Sequence, residues 1–461
     1  MTLLSNAFPK AAGLGPQIEA LLADPAAKPE AFAALPLPTA MRALVIDARD
    51  EARTMALPEA ERDPAQTLRL REVPLPPMAG DEVLIAVMAA GLNYNSVWSS
   101  MFMPGSPFDY LRRFGSFSPR NGTHVRDYMV LGSDAAGVVL RVGSQVTNCK
   151  PGDEVCVHPG VVNDHAPECH EDDLLSPQTR AWGFETNFGA FADFTVVRAS
   201  QILPKPRHLS WAEAASLPLV NGTVYRMLIG SNGARMHLGE SVLIWGAAGG
   251  LGLLACQYVL RGGGQPVCVV SSEDRAEILR RIGVQAVVNR SAAGISLWTR
   301  DGAPHERGIA RLRGRIRAAA GDPSIDIVFE HPGAETFWAS VALLRHGGRV
   351  VTCGSTSGHE HRYDNRRLWM HVKSIIGSHG ANYHEAWQAN RLVCRGLIHP
   401  VLTDTGQLAD GIGLVRRLRD NLHIGKIAML CQAAAPRDGI RDPGLRRAAG
   451  VDPFLQKLMV S

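Results

Sequence analysis

Long apolar runs, a charge excess and paired cysteines are all scarce in this sequence, and each absence removes a class of protein. No stretch of about 18 uncharged apolar residues occurs, so no membrane-spanning helix is expected. Lys and Arg number 48 against 44 Asp and Glu, a net of +4 over 461 residues. That is too small an excess for a dedicated nucleic-acid binder. The 8 cysteines are scattered, mostly in apolar runs, and none forms a CxxC pair. Reduced, buried thiols in a cytoplasmic protein are expected, not a disulfide framework. The opening residues MTLLSNAFPKAAGLG lack a basic start followed by a long apolar run, so no signal peptide is expected. Aromatics make up only 6%.

What remains is an ordinary globular composition, 46% apolar and 20% charged, long enough for two large domains. Residues 1–40 read as an Ala/Pro-rich helical extension, followed by a strand at Arg42–Asp47. From about 66 to 200, short apolar runs broken by Gly, Pro and Asp predict a β-rich unit. Residues 211–228 are predicted to form one helix. The rhythm then changes. SVLIW, PVCVVSS, AVVN, IDIVFEH, GRVVTCGS and KSIIGSH alternate with helical segments, the signature of a parallel sheet with crossover helices. The division expected is 1–205 for the β-rich unit, 206–390 for the parallel-sheet unit, and 391–461 returning to the first with a polar tail.

The first parallel strand runs into Gly246-Ala247-Ala248-Gly249-Gly250-Leu251-Gly252 and then a helix. Strand, glycine turn and helix together place a pyrophosphate against backbone N–H groups at a helix N-terminus. The second strand ends in Ser271-Ser272, with Arg275 soon after, where an NAD-binding unit usually ends in Asp or Glu. Hydroxyls and a guanidinium accept a 2′-phosphate that a carboxylate would repel. Arg290, after the third strand, is a second phosphate candidate. The cofactor expected is therefore NADPH; the alternative is that Glu273 serves an NAD ribose.

Zinc signals are weak. Enzymes of this layout that carry zinc have a Cys near the segment reading GLNYN here and a GHE where GSDAAG stands. Cys156, His158, His165, Cys169 and His170 form one suggestive cluster without zinc-site spacing. A loop with titratable surface histidines suits them better, and no metal is expected.

AGLNYNSVWSSMF, RAWGFETNFGAFADFTVVRASQILPKP, VLIWGAAGGLG, DIVFEHPG, DNRRLWM and IGSHGAN together resemble the crotonyl-CoA carboxylase/reductases of the medium-chain dehydrogenase/reductase superfamily. The resemblance implies an α/β protein, with a β-rich GroES-like catalytic domain beside a doubly wound parallel-sheet Rossmann domain. It implies NADPH-dependent reduction of a 2-enoyl-CoA and capture of carbon dioxide by the resulting enolate. The family's carbon dioxide residues fall on Asn95, Phe184, Glu185 and His379, with a water envisaged between the last two. Thr223 matches the position that approaches the nicotinamide, Arg366 is a candidate coenzyme A contact, and a homotetramer is implied. The family stretch DNRYLWM reads DNRRLWM here, with Arg367 replacing an aromatic, which leaves acyl chain length open. A plain enoyl-CoA or quinone reductase remains the alternative.

Overall fold

The computed structural model describes residues 13–321 and 324–459. The part of the helical extension before residue 13 lies outside them; within them, Gly15–Ala23 and Pro29–Ala33 are helical.

Six parallel strands form the second unit: β1 Ser241–Trp245, β2 Gln265–Val270, β3 Ala286–Asn289, β4 Ile325–Glu330, β5 Arg349–Thr352 and β6 Ser374–Gly377. Their order is β3-β2-β1-β4-β5-β6. The central strands β1, β2 and β4 are covered on both faces and are largely apolar, whereas the edge strand β6 is partly exposed. In β1, Val242 and Ile244 pack with Leu253 and Cys256 of the helix Gly250–Arg261. Leu243 and Trp245 face the other way, onto Ile309, Leu312 and Trp338. Strand order reverses between β1 and β4. Such a switch point opens a crevice at the carboxyl ends of the strands.

The β-rich unit is built around the ten-residue strand Glu82–Gly91. It pairs antiparallel with Ala135–Val142, Phe194–Arg198 and Lys426–Leu430. Leu402–Gln407 runs parallel to Lys426–Leu430, joined through the helix Gly411–Arg419. The chain after the parallel sheet thus returns to complete the first sheet.

Residues 211–228 form two helices, Trp211–Ala215 and Pro218–Leu228, not the single one expected. Pro218 has no N–H to donate to the carbonyl four residues back, and its ring clashes with that carbonyl. The break exposes new helix-start donors, and the Asp134 side chain accepts the Leu219 N–H at 2.7 Å.

Cys156, Cys256, Cys268 and Cys431 are buried, whereas Cys149, Cys169, Cys353 and Cys394 are only half-buried; all eight are free thiols.

Candidate active site

A cavity of about 640 Å3 lies between the two units. One end is the glycine turn, where Gly246, Ala248, Gly249, Gly250 and Leu251 all form its wall. Gly246 has φ +55°, and a Cβ there would stand 2.7 Å from the His331 ring. That ring is fixed by Nε2 at 3.0 Å from the Trp245 carbonyl. Burial pushes the His331 pKa down to about 4, so a neutral ring donates through Nε2. Gly252 lets the helix close onto the turn, since a Cβ would meet Ala247 Cα at 2.5 Å. The turn is therefore tightly packed, and the N-terminus of its helix offers unpaired N–H groups suited to an anion.

Ser271, Arg275 and Arg290 line the same end. Arg275 donates to the Asn421 carbonyl and to its Oδ1, both at 2.9 Å, and Arg290 is paired with Glu335 at 2.5 Å. Ser272 does not reach the cavity wall; it is the residue before the helix Glu273–Arg281. Glu273 is turned away to Arg280 (2.6 Å) and Asn289 (3.0 Å), so it is not presented to a ribose.

Asn95, Phe184, His379 and Thr223 also line the cavity. Asn95 sits in the first turn of the helix Tyr94–Ser100 and donates from Nδ2 to Ser133 Oγ at 2.8 Å. The Phe184 ring is 5.9 Å from that of Tyr110. Thr223 spends its hydroxyl proton on the Leu219 carbonyl at 2.7 Å, which leaves oxygen lone pairs for an incoming donor.

Glu185 differs from expectation. It is not part of the cavity wall, and its carboxylate accepts the Ala181 N–H at 2.9 Å while lying 3.8 Å from Arg180. With the Glu185 N–H bonded to the Ala181 carbonyl at 2.8 Å, the side chain braces the turn that carries Phe184. Arg366 is exposed and paired with Asp364 at 2.9 Å, and it does not line the cavity.

Comparison with known proteins fits this geometry. The Alcohol dehydrogenase GroES-like domain family matches residues 79–207, and the Zinc-binding dehydrogenase family matches residues 250–393. The chain is 48% identical to "Crotonyl-CoA reductase" of Streptomyces collinus, over 90% of this chain and 93% of that one. It is 35% identical to "Crotonyl-CoA carboxylase/reductase" of Cereibacter sphaeroides, over 83% and 87%. Among solved structures, the 2-octenoyl-CoA carboxylase reductase CinF in complex with NADP and 2-octenoyl-CoA superposes with a TM-score of 0.90. It is 43% identical and covers 97% of this chain and 99% of its own. The chain belongs to the crotonyl-CoA carboxylase/reductase family.

The zinc named by one matching family does not fit the residues present. Where zinc enzymes place Cys and His, the chain has Asn93 and Ser133, followed by Asp134. Asn93 Nδ2 donates to Asp134 at 2.7 Å, and the Lys426 ammonium donates to Asn93 Oδ1 at 2.5 Å and to the Leu92 carbonyl. A cation already occupies the centre of this group. Among the described residues, no cluster of three or more His, Cys, Asp or Glu is placed to hold a metal. The cluster around His158 does not assemble either. His165 and His170 are exposed as expected. His158 is instead buried against Tyr383, and burial lowers its pKa to about 4.

The sequence reading missed Lys426, Asp134, His331, Asn421 and Glu335. Each acts through a partner more than forty residues away in the chain, which local pattern does not reveal. No described helix is long and apolar enough to cross a membrane.

Proposed function

We propose that this chain catalyses NADPH-dependent reductive carboxylation of a 2-enoyl-CoA to an alkylmalonyl-CoA. The observation that carries the reading is that Asn95, Phe184 and His379 share one cavity with the glycine turn and with Arg275 and Arg290. Family membership supports it, as do relatives named for this chemistry and a solved relative holding NADP and an enoyl-CoA.

The glycine turn holds the cofactor pyrophosphate. Ser271, Arg275 and Arg290 would hold a 2′-phosphate, and Thr223 would accept from the carboxamide. Bound NADPH supplies the hydride that adds to the β-carbon of the enoyl thioester. The electron pair moves to the α-carbon and thioester oxygen, and the enolate forms a carbon–carbon bond to carbon dioxide. Carbon dioxide is neutral and a weak acceptor, so it needs fixed donors and not a charge clamp. The Asn95 amide, held by Ser133, is one such donor, and His379 offers another. The competing fate is protonation of the enolate, so exclusion of water counts as much as binding. Phe184 is apolar and its turn is braced by Glu185, which suits it to that role.

The test is product analysis by mass spectrometry with crotonyl-CoA and longer enoyl-CoAs, NADPH, labelled bicarbonate and carbonic anhydrase. Label in the product is expected; NADPH consumption with unlabelled acyl-CoA would make the enzyme a plain reductase. His379→Ala is expected to raise the share of reduced product with hydride transfer partly kept. A parallel fall of both products would remove His379 from the carbon dioxide site. The family's homotetramer is the assembly proposed, to be measured by light scattering.

A further inference from the structure

The buried group at Asp134 joins three parts of the cavity that lie far apart in sequence. Lys426 is 95% buried along its side chain, and Asp134 wholly so. The ammonium has three hydrogens and three acceptors near it: the Leu92 carbonyl, Asn93 Oδ1 and, at 3.5 Å, Asp134. Asp134 spends Oδ2 on Asn93 and Oδ1 on the Leu219 N–H at the start of the Thr223 helix. Its neighbour Ser133 takes the Asn95 amide. On the other side of Lys426, the Gly425 N–H donates to the Ala248 carbonyl of the glycine turn at 3.0 Å. Gly425 itself admits no side chain, since φ is +64° and a Cβ would stand 2.1 Å from the Val401 carbonyl.

We infer that the Lys426–Asp134 pair, bridged by Asn93, is a positioning device that sets the Asn95 amide and the Thr223 helix relative to the glycine turn. A fixed ammonium here does the organising work of a metal ion, without Lewis acidity. The inference rests on the reading of Asn95 as a carbon dioxide donor. Its physical basis is that a misplacement of about 1 Å between reacting groups costs up to about a hundredfold in rate.

The test uses the full-length enzyme with Asp134→Asn and Lys426→Met combined, so that no lone charge stays buried. The ratio of reduced to carboxylated product is measured at saturating crotonyl-CoA, NADPH and bicarbonate, with and without Asn95→Ala. The ratio is expected to rise about tenfold while the KM for NADPH changes by less than about threefold. In the Asn95→Ala background the pair should add less than about twofold, because both act through one amide. A ratio within about twofold of the parent, or effects that multiply with Asn95→Ala, would overturn the inference.

Should the double variant not fold, Asn93→Ala leaves the ion pair in place and removes only the bridge. Its ratio should rise about threefold, and no change overturns the inference. If the parent itself makes only reduced product, the carboxylase reading fails separately. The positioning role is then read from hydride transfer. A fall of about tenfold in kcat at unchanged KM supports it, and an unchanged kcat sinks it.

Discussion

Gly246 shows how one missing side chain serves both fold and ligand. Its φ of +55° lies in the left-handed region, and the His331 ring fills the space a Cβ would need. Gly246→Ala should therefore cost about 1–3 kcal/mol of stability from backbone strain alone, and displacing His331 should weaken NADPH binding about tenfold or more. Urea unfolding and fluorescence titration measure the two effects; a stable variant with parental affinity would show the turn to be adaptable. Arg275 acts differently, since it sits at the cavity edge, held by Asn421. Arg275→Ala should raise the KM for NADPH about tenfold and leave that for the acyl-CoA unchanged. Equal changes in both constants would point to misfolding. Glu185 was assigned by resemblance to the carbon dioxide site. In the fold its bonds to Ala181 also brace the turn that carries Phe184, a contact that no local sequence pattern reveals.

Elements were legible in the sequence where short apolar runs alternated with helical segments. The reading of AVVN as a strand matches β3 residue for residue, and the other parallel strands were located to within a few residues. The division of 211–228 was missed because Pro218 follows a helix-compatible run and restarts a helix at once. The closing pair of helices, Pro443–Ala449 and Val451–Leu458, was read only as a polar tail with helical stretches. Its anchor is Arg446, whose guanidinium meets Glu213 at 2.7 and 2.8 Å and Asp452 at 2.6 Å. Glu213 also caps the helix Trp211–Ala215 through Ser210. Arg446→Ala would strand a buried carboxylate and should cost about 3–5 kcal/mol. The check is denaturant unfolding of the intact chain; a loss under about 1 kcal/mol would class the contact with surface ion pairs.

At the scale of the whole molecule, two sets of buried groups pull stability in opposite directions with pH. Burial lowers His124, His158, His331, His399 and His423 to about 4. The unfolded chain takes up protons on these rings near pH 6.5 that the folded chain refuses, so stability is lost as pH falls from about 6.5 toward 4. Burial raises Asp134 and Asp173 to about 6, and Glu330 to about 7. Here the folded chain keeps protons that the unfolded chain has released, so stability declines as pH rises toward each folded value. Five rings against three carboxyls give a net gain with rising pH up to about 6.5, beyond which Glu330 alone carries a decline to about pH 7. Glu330 lies at the end of β4, fully enclosed, accepting from the Gly333 N–H at 3.0 Å and from the hydroxyls of Thr336 and Ser340. Glu330→Gln keeps the shape and an acceptor oxygen and removes the titration. Between pH 5.5 and 8 the parent should lose about 2 kcal/mol more unfolding free energy than this variant, at 1.36 kcal/mol per pH unit per proton. Urea unfolding across that range measures the difference. Parallel curves for the two proteins would mean that Glu330 is already ionised in the fold, with its three donors sufficient to hold a buried charge.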